Sequence, residues 1–434
     1  MDKKVSMSDT VVVGFAMFAV FFGAGNLIFP PYLGMLSGKS WFLGFLCFVI
    51  ADAGLAMMTV LAMIRGNGTI FSVVGRLGKK TSVLLATVSI ICVGPLLCIP
   101  RTCATTYEMG MLPIVPGFNS WAFAFVFFAL VFFLTIRPTA VVDVIGKFLT
   151  PALLLTLAIL FIKGILSPIG EIAPVSADVN VAKEGFMAGY QTMDVLGALA
   201  ITLVIVGDVA KKGYISKKSS FKVISYSSII ATIGLFLSYC GLAYLGATAS
   251  TLDLGDINQA GLVVKVTELL LNKFGVVLLA LIVLFACLTT AVGLVSSASE
   301  YFSDLSKGKI SYGKLVTFMC LSGMVISNVG ITAIINLATP ILNVIYPVLL
   351  TQICLSFFND KIKNDNVFKW SAMGALIVCI IGVAGDFGAP VSFVDKLPFA
   401  SLGLEWILPA IAGGVIGAFI PSKKEPPAVQ KMVA

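Results

Sequence analysis

An apolar segment near the N-terminus is interrupted by the sequence Gly23-Ala24-Gly25-Asn26-Leu27-Ile28-Phe29-Pro30-Pro31. Glycine costs a helix about 1 kcal/mol and proline about 3 kcal/mol relative to alanine. These residues therefore predict a broken helix within an apolar run that extends over residues 10–36. Within a bilayer, a broken backbone persists only where protein or a cavity satisfies its polar groups. The break is therefore either a simple kink or part of a binding site.

A second apolar segment repeats this anomaly in the sequence Gly189-Tyr190-Gln191-Thr192-Met193-Asp194-Val195-Leu196-Gly197. An ionised Asp at the centre of a membrane helix costs about 2.5–3.5 kcal/mol. The two breaks fall in the first and sixth predicted spans, and paired interruptions of this kind indicate the binding site of a transporter. Because a repeat with an odd number of spans must reverse its direction in the membrane, the two halves are predicted to be inverted repeats.

The composition supports a membrane protein. The 434 residues are 59% hydrophobic and 12% charged, whereas soluble proteins carry about 25% charged residues. The absence of histidine excludes zinc sites of the H-E-x-x-H type and Ser-His dyads. A paired-aspartate protease would need a second carboxylate in mid-span to face Asp194, and Asp386 lies at a helix end. We therefore predict no enzyme and no cofactor, and we interpret the nine cysteines as buried apolar residues.

A bilayer needs about 20 apolar residues per helix, and this length predicts an all-α membrane protein with twelve transmembrane helices in a single domain over residues 1–434. Residues 10–166 form the first inverted repeat, 183–358 the second and 367–421 two additional C-terminal helices, followed by a cytoplasmic tail at 422–434. The predicted spans are 10–36, 41–64, 80–106, 120–137, 140–166, 183–209, 219–247, 274–302, 312–331, 332–358, 367–386 and 403–421. An amphipathic helix at Gln259–Lys273 and a turn at 328–330 are also predicted.

The positive charges predict the orientation, because Lys and Arg are enriched in cytoplasmic loops. With both termini cytoplasmic, all but seven of the 29 Lys and Arg residues fall on the cytoplasmic side. The net charge of +8 then reflects topology, so no nucleic-acid partner is predicted. The seven residues on the opposite side are Lys39, Arg101, Lys163, Lys183, Lys265, Lys273 and Lys396.

Motifs in three spans resemble the bacterial branched-chain amino acid:cation symporter family (the system II carriers). These motifs are Gly23–Pro31 in the first span, Gly94-Pro95-Leu96 with Ile99-Pro100-Arg101-Thr102 in the third, and Gly189-Tyr190 with Thr192-Met193-Asp194 in the sixth. The resemblance implies uptake of leucine, isoleucine and valine across a bacterial cell membrane, driven by a sodium or proton gradient. It also implies a LeuT-type fold of five-plus-five inverted repeats. The alternative is a proton-coupled carrier of other small apolar amino acids, and the oligomeric state stays open.

The two breaks are the predicted substrate site. Free N–H groups and the positive dipole end of a second half-helix, starting near Leu27, suit a carboxylate. Unwound carbonyls, from Phe22 and Gly23 and from the second break, suit an ammonium group or a cation. Asp194 either faces the substrate or ion in ionised form, carries a coupling proton, or bonds free backbone N–H groups. The predicted substrate-binding residues are Gly23, Ala24, Gly25, Asn26, Tyr190, Gln191, Thr192, Met193 and Asp194.

A sodium site follows from the resemblance alone. In sodium-coupled LeuT-type carriers, two adjacent hydroxyls on the eighth span face carbonyls of the first. The matching ligands here are the carbonyls of Ala19, Phe22 and Ala286 and the hydroxyls of Thr289 and Thr290. Membrane threonines also commonly bond a carbonyl of their own helix, so that interpretation stays open.

Other residues carry weaker expectations. Arg101 either extends to the outer surface or gates the outer vestibule, and Asp52 pairs with a neighbouring polar group. The predicted apolar pocket consists of Gly94, Pro95, Tyr190, Val195 and Phe285.

Overall fold

The computed structural model of the protein describes residues 3–136, 150–255, 257–389, 391 and 393–421. These residues form helices, turns and loops, with no β-strand among them. The α-helices are α1 (Met7–Phe21), α2 (Ala24–Ser37), α3 (Trp41–Val49), α4 (Leu55–Arg65), α5 (Phe71–Val74), α6 (Lys79–Ile91), α7 (Cys98–Thr106), α8 (Ser120–Ile136), α9 (Thr150–Leu166), α10 (Val181–Thr192), α11 (Asp194–Lys211), α12 (Lys217–Ala247), α13 (Gln259–Leu305), α14 (Tyr312–Ser327), α15 (Ile331–Ser356), α16 (Asp365–Asp386) and α17 (Ile407–Phe419).

The helices confirm the predicted all-α membrane class. Within the described ranges, seven helical stretches are long and apolar enough to cross a bilayer, namely Ala24–Arg65, Lys79–Met111, Val181–Lys211, Lys217–Ala247, Gln259–Leu305, Ile331–Ser356 and Asp365–Asp386. Shorter apolar helices are Met7–Phe21, Ser120–Ile136, Leu153–Leu166, Tyr312–Ser327 and Ile407–Phe419. The count of twelve spans and the repeat boundaries stay predictions. The start of the fifth predicted span at 140–149 and the tail at 422–434 lie outside the described residues.

Large apolar side chains cover the outside of the helix bundle. Phe125, Phe133, Leu237 and Phe318 are more than half exposed. Polar side chains such as Asn26 are buried instead. Such a distribution places the apolar surface against lipid, where polar groups must find partners inside the protein.

The first break lies between α1 and α2. The extended backbone at Gly23 ends the α1 helix, and its N–H donates to the side-chain oxygen of Asn26, 3.1 Å away. Asn26 thus caps the start of its own helix. The second half-helix begins at Ala24, three residues earlier than the predicted start near Leu27.

The second break is a single residue. Met193 separates α10 from α11 and adopts a left-handed backbone conformation with φ of 69°. That conformation costs a residue other than glycine about 1–2 kcal/mol, so surrounding contacts must hold it in place. The Thr192 hydroxyl provides one such contact, because it donates to the Gly189 carbonyl at 2.6 Å.

Three further irregularities were not predicted. A π-helical turn at Ile50–Gly54 joins α3 to α4 around Asp52. Gly94 has non-helical backbone angles between α6 and α7, where Pro95 follows it. Asn272, with φ of 52°, bends α13 close to the end of the predicted amphipathic helix. The turn at 328–330 is present as predicted, with Gly330 at φ of 88°.

Most of the cysteines are buried, as predicted. None of the nine takes part in a disulfide. Cys354 is exposed on the bundle surface and not buried, and Cys240 is only partly buried. The remaining seven behave as small apolar core residues.

Candidate functional site

The structure brings the two breaks into direct contact. The Asn26 side-chain nitrogen, in the first turn of α2, lies 3.0 Å from the Asp194 carboxylate at the start of α11. Both residues are buried, Asn26 with 1% and Asp194 with 7% of its surface exposed. Asn26 and Asp194, 168 positions apart in the chain, therefore share one polar centre. The pairing of the two breaks in the sequence predicts such a meeting.

Asp52 and Tyr239 complete this polar centre. The Asp52 carboxylate accepts a hydrogen bond from the Thr192 hydroxyl at 2.7 Å and lies 3.4 Å from the Asn26 side-chain nitrogen. The Tyr239 hydroxyl, from α12, lies 2.5 Å from the same nitrogen. Four helical segments thus meet at one amide. Asp52 pairs with neighbouring polar groups, as predicted.

The Arg101 side chain lies beside the second break and not at the outer surface. Only 1% of Arg101 is exposed, so the expectation that it extends to the surface is wrong. Its Nη1 and Nη2 atoms donate to the carbonyls of Gln191 and Thr192 at 2.6 and 2.7 Å. These are two of the carbonyls that the sequence assigns to an ammonium group or cation. The last turn of α10 attracts the guanidinium because its carbonyls lack partners within the helix.

The predicted sodium ligands lie largely together. The Thr289 hydroxyl donates to the Ala19 carbonyl of α1 at 3.0 Å and to the Ala286 carbonyl at 2.9 Å. The Thr290 hydroxyl donates to the carbonyl of Val20 at 3.0 Å. Val20 was not predicted. The carbonyl of Phe22, which was predicted, accepts from neither hydroxyl.

The remaining predicted substrate residues flank the polar centre. Gly23, Ala24 and Gly25 are buried at the α1–α2 break, and a Cβ at Gly23 would lie 3.0 Å from the Thr290 hydroxyl. Gln191 donates to the Thr339 hydroxyl at 2.9 Å, and its carboxamide oxygen has no partner. The Tyr190 ring packs against Tyr346, with centroids 4.8 Å apart.

Open space adjoins the second break. Gly197, in the first turns of α11, is buried, yet a Cβ at this position would meet no atom within 4 Å. Gly94 of the predicted apolar pocket faces Ala298 and Met319 instead, with its Cβ position 3.4 Å from the Ala298 methyl group. The open space beside the break is therefore found at Gly197 of α11, the helix that also carries Val195.

Sequence reasoning missed Tyr239, Val20 and the position of Arg101. A tyrosine in an apolar helix carries no signal, since most such tyrosines are ordinary core residues. Any residue can supply a backbone carbonyl such as that of Val20. The sequence does give a signal for Arg101, because a cation within an apolar span is a functional candidate by default.

The arrangement suits a small zwitterion. A guanidinium, two carboxylates and the unpaired side-chain oxygen of Gln191 lie around the two buried breaks. A buried polar group stays stable only with a partner, and an amino acid supplies both signs of charge. Alongside, hydroxyl and carbonyl oxygens of α1 and α13 provide the hard ligands that small cations prefer.

Comparison with known proteins identifies the family of the chain. Residues 6–424 match the family model described as branched-chain amino acid transport protein. Among relatives, the branched-chain amino acid permease BrnQ of Bacillus subtilis (strain 168) is 33% identical over 96% of this chain and 98% of its own length. The branched-chain amino acid permease BraB of the same organism is 33% identical, over 96% of each chain.

Two solved structures share the fold. One is Mhp1, a nucleobase-cation-symport-1 family transporter in a closed conformation, with a TM-score of 0.65, 14% identity and coverage of 94% of this chain and 91% of its own. The other is a Na⁺-coupled sialic acid symporter in a substrate-bound outward-open state, with a TM-score of 0.62, 14% identity and coverage of 96% and 91%. By sequence, the chain belongs to the branched-chain amino acid transport protein family.

Proposed function

We propose that this chain takes up leucine, isoleucine and valine by sodium symport, with the amino acid bound between the two helix breaks. The observation that carries the proposal is the meeting of the Thr289 and Thr290 hydroxyls with α1 carbonyls, 3.0 Å away in each case. These contacts link the ion ligands of α13 to the helix that begins the substrate site. An ion bound here would therefore stabilise the same α1–α2 break that receives the amino acid.

The substrate class follows from the surroundings of the break. Val195 and Leu196 are buried apolar residues of the first turn of α11, and the Cβ position of Gly197, which follows them, faces open space. An aliphatic side chain of three or four carbons gains about 0.8 kcal/mol per buried CH₂ group in such a place. The names of the family relatives point to the same substrates. Preference among the three is not fixed by this pocket, because one methylene is worth only about 1–3 kcal/mol.

Sodium fits the second set of ligands. The described contacts involve only hydroxyl and carbonyl oxygens, which suit a hard cation. The threonine hydroxyls now donate hydrogen bonds to carbonyls, and with a cation bound each hydroxyl oxygen would instead turn a lone pair toward it. The carbonyl oxygens of Ala19 and Ala286 both lie within 3.0 Å of the Thr289 hydroxyl oxygen.

We propose that a cavity between α11 and α13 serves as the route away from the site. It lies toward the C-terminal ends of both helices, which the charge pattern predicts to be cytoplasmic. Glu300 and Asp304 make its far end acidic, a property that attracts a cation. Its lining includes Ile90, Leu199, Ala200, Leu203, Ser297, Glu300, Tyr301 and Asp304. Alternating access around the broken helices would open this route after the outer side closes.

The sodium proposal is tested by removing the hydroxyls one at a time. Thr289→Val and Thr290→Val keep the shape of the side chain and delete one ligand oxygen each. Since a single hydrogen-bonding group is worth about 0.5–1.5 kcal/mol, we expect each change to raise the sodium concentration for half-maximal leucine uptake by roughly 2- to 10-fold, with a larger rise in the double variant. Uptake is measured in proteoliposomes under an imposed sodium gradient.

Thr267→Val is the matched control for this experiment. Thr267 is a buried threonine of the same helix that donates only to the Val263 carbonyl of its own helix, at 2.8 Å. We expect its sodium dependence to equal that of the unaltered protein. Unchanged sodium dependence in the Thr289→Val/Thr290→Val double variant would show that these hydroxyls have a structural role only.

A proton-coupled carrier of other small apolar amino acids is the second candidate. The observation that favours it is the pair of buried carboxylates, Asp52 and Asp194, that share the Asn26 amide. A proton on one of them would remove the repulsion between them. Proton-driven accumulation of a small apolar amino acid other than leucine, isoleucine and valine in sodium-free proteoliposomes would establish this alternative.

We further infer that the chain lies in a bacterial plasma membrane with both termini in the cytoplasm. The excess of Lys and Arg on one side of the predicted spans supports this orientation. The same proposal includes twelve spans arranged as five-plus-five inverted repeats with two additional helices.

A further inference from the structure

The Arg101 guanidinium is buried without a carboxylate partner. Of its five N–H donors, one on each terminal nitrogen is used by the Gln191 and Thr192 carbonyls, whereas Nε has no partner. None of the ion pairs between described residues includes Arg101. A buried charge is stable only when it is paired or fully hydrogen-bonded. The guanidinium therefore has unused N–H donors that an anionic ligand could accept from.

The guanidinium also faces the N-terminal turn of α2. A Cβ built at Gly25 would lie 2.9 Å from Nη2 of Arg101 and 3.0 Å from the Thr192 Cα atom. The first turn of a helix carries N–H groups without intrahelical partners and the positive end of the helix dipole. Two positive features thus meet at a buried contact, and the absence of a side chain at Gly25 permits this close approach.

We propose that Arg101 is the carboxylate receptor of the transported amino acid. The planar guanidinium offers Nε–H and a terminal N–H to the two carboxylate oxygens, while the first-turn N–H groups of α2 face the carboxylate from the other side. This inference rests on the proposed function and adds a residue of α7 to a site otherwise built from the two breaks. Arg101 then connects the substrate directly to the Gln191 and Thr192 carbonyls of the second break.

Arg101 also holds the C-terminal end of α10, so a test must separate the two roles. L-Leucine and L-leucinamide share the side chain and the amino group and differ in the carboxylate. Binding of both is measured on the purified full-length chain by isothermal titration calorimetry. Loss of a helix contact weakens the binding of both ligands equally, whereas loss of a carboxylate receptor weakens the binding of leucine alone.

For the unaltered protein we expect leucine to bind roughly 10- to 100-fold more tightly than leucinamide, the range of a charge-assisted pair. Arg101→Gln should weaken the binding of leucine and so bring the ratio of leucinamide to leucine dissociation constants close to one. Arg101→Lys keeps the charge without the planar fork and should give an intermediate ratio. Arg65→Gln is the matched control, because Arg65 is exposed at the end of α4, and its ratio should not change.

Several outcomes would overturn the inference. A ratio in Arg101→Gln equal to that of the unaltered protein would leave Arg101 a positioning residue for α10. If Arg101→Gln fails to show a thermal unfolding transition, an unchanged ratio in Arg101→Lys leads to the same conclusion. Equal binding of leucine and leucinamide by the unaltered protein would also refute it while leaving the proposed function intact. Absence of leucine, isoleucine and valine binding would refute the proposed function itself.

Discussion

At the residue scale, the side-chain amide of Asn26 contacts every other member of the polar centre. The Asn26 side-chain nitrogen has two hydrogens and three acceptors within 3.4 Å, on Asp52, Asp194 and Tyr239. Neither carboxylate forms an ion pair with another described residue. Two buried carboxylates around a neutral amide repel each other when both are ionised, and a proton, an ammonium group or a metal cation relieves that repulsion. The centre is therefore built to receive positive charge.

Asp194→Asn tests which positive charge Asp194 receives. The change keeps the size of the side chain and removes its charge, and charge-assisted hydrogen bonds are worth about 1.5–3 kcal/mol. We expect leucine uptake to fall roughly 10- to 100-fold, with normal amounts of protein in the membrane. If Asp194 carries a coupling proton instead, the variant should lose accumulation against a gradient but retain leucine exchange.

Asp208→Asn is the control on the same helix. Asp208 is partly exposed and forms an ion pair with Lys211, 3.2 Å away at i,i+3, and surface pairs contribute only about 0–1 kcal/mol. Leucine uptake by Asp208→Asn should match that of the unaltered protein. Sodium-driven accumulation by Asp194→Asn at the unaltered rate would assign the Asp194 carboxylate a structural role in the break.

At the scale of elements, glycines set how closely α2 approaches α12. A Cβ at Gly34 would lie 1.9 Å from the Ala243 carbonyl oxygen, and a Cβ at Gly246 would lie 1.8 Å from the Pro31 carbonyl oxygen. Both obstacles are backbone atoms, which cannot rotate away. Small residues at helix interfaces allow this close approach in membrane proteins. The contact fixes the half-helix that carries Asn26 against the helix that carries Tyr239.

Gly246→Ala should therefore destabilise the protein. The added methyl group must push α2 away from α12, and overpacking of this kind costs about 1–3 kcal/mol. We expect a lower midpoint of thermal unfolding in detergent and less folded protein on gel filtration. Gly207→Ala is the control, because a Cβ at Gly207 meets no atom within 4 Å. An unchanged midpoint in Gly246→Ala would mean that the two helices lie further apart than the structure places them.

The sequence predicted some irregular elements and not others, for physical reasons. The break at Gly23 follows from local chemistry, since glycine and the nearby prolines weaken a helix wherever they occur. The π-helical turn around Asp52 has no comparable local cause. Its side chain bonds Thr192 and Asn26, which are distant in sequence, so tertiary contacts determine this turn. The same holds for Arg101, whose carbonyl partners exist only once the second break has formed.

At the scale of the whole molecule, membership in a transport family confirms the prediction of a membrane transporter and not an enzyme. The N-terminal segment is tied to the loop between α11 and α12. The Lys3 backbone N–H donates to the Gly213 carbonyl at 3.0 Å, and the Tyr214 hydroxyl donates to the Asp9 carboxylate at 2.7 Å. The Lys3 ammonium lies 2.6 Å from Asp9, and this hydrogen bond raises the pKa of Lys3. The N-terminus and this loop therefore lie on the same side of the membrane.

The side itself is testable with a cysteine at position 217. Lys217 begins α12 and is exposed, and it belongs to the positively charged group at Lys211, Lys212, Lys217, Lys218 and Lys222. Because positively charged loops stay in the cytoplasm, we expect an impermeant maleimide to leave Lys217→Cys unlabelled in intact cells and to label it after permeabilisation. Lys183 lies near the start of α10, and the half-helices α10 and α11 separate it from the loop before Lys217. Lys183→Cys should therefore be labelled in intact cells. The unaltered chain, with its nine cysteines, sets the background. Labelling of Lys217→Cys and protection of Lys183→Cys in intact cells would reverse the orientation, and the acidic cavity at Glu300 would then open to the outside.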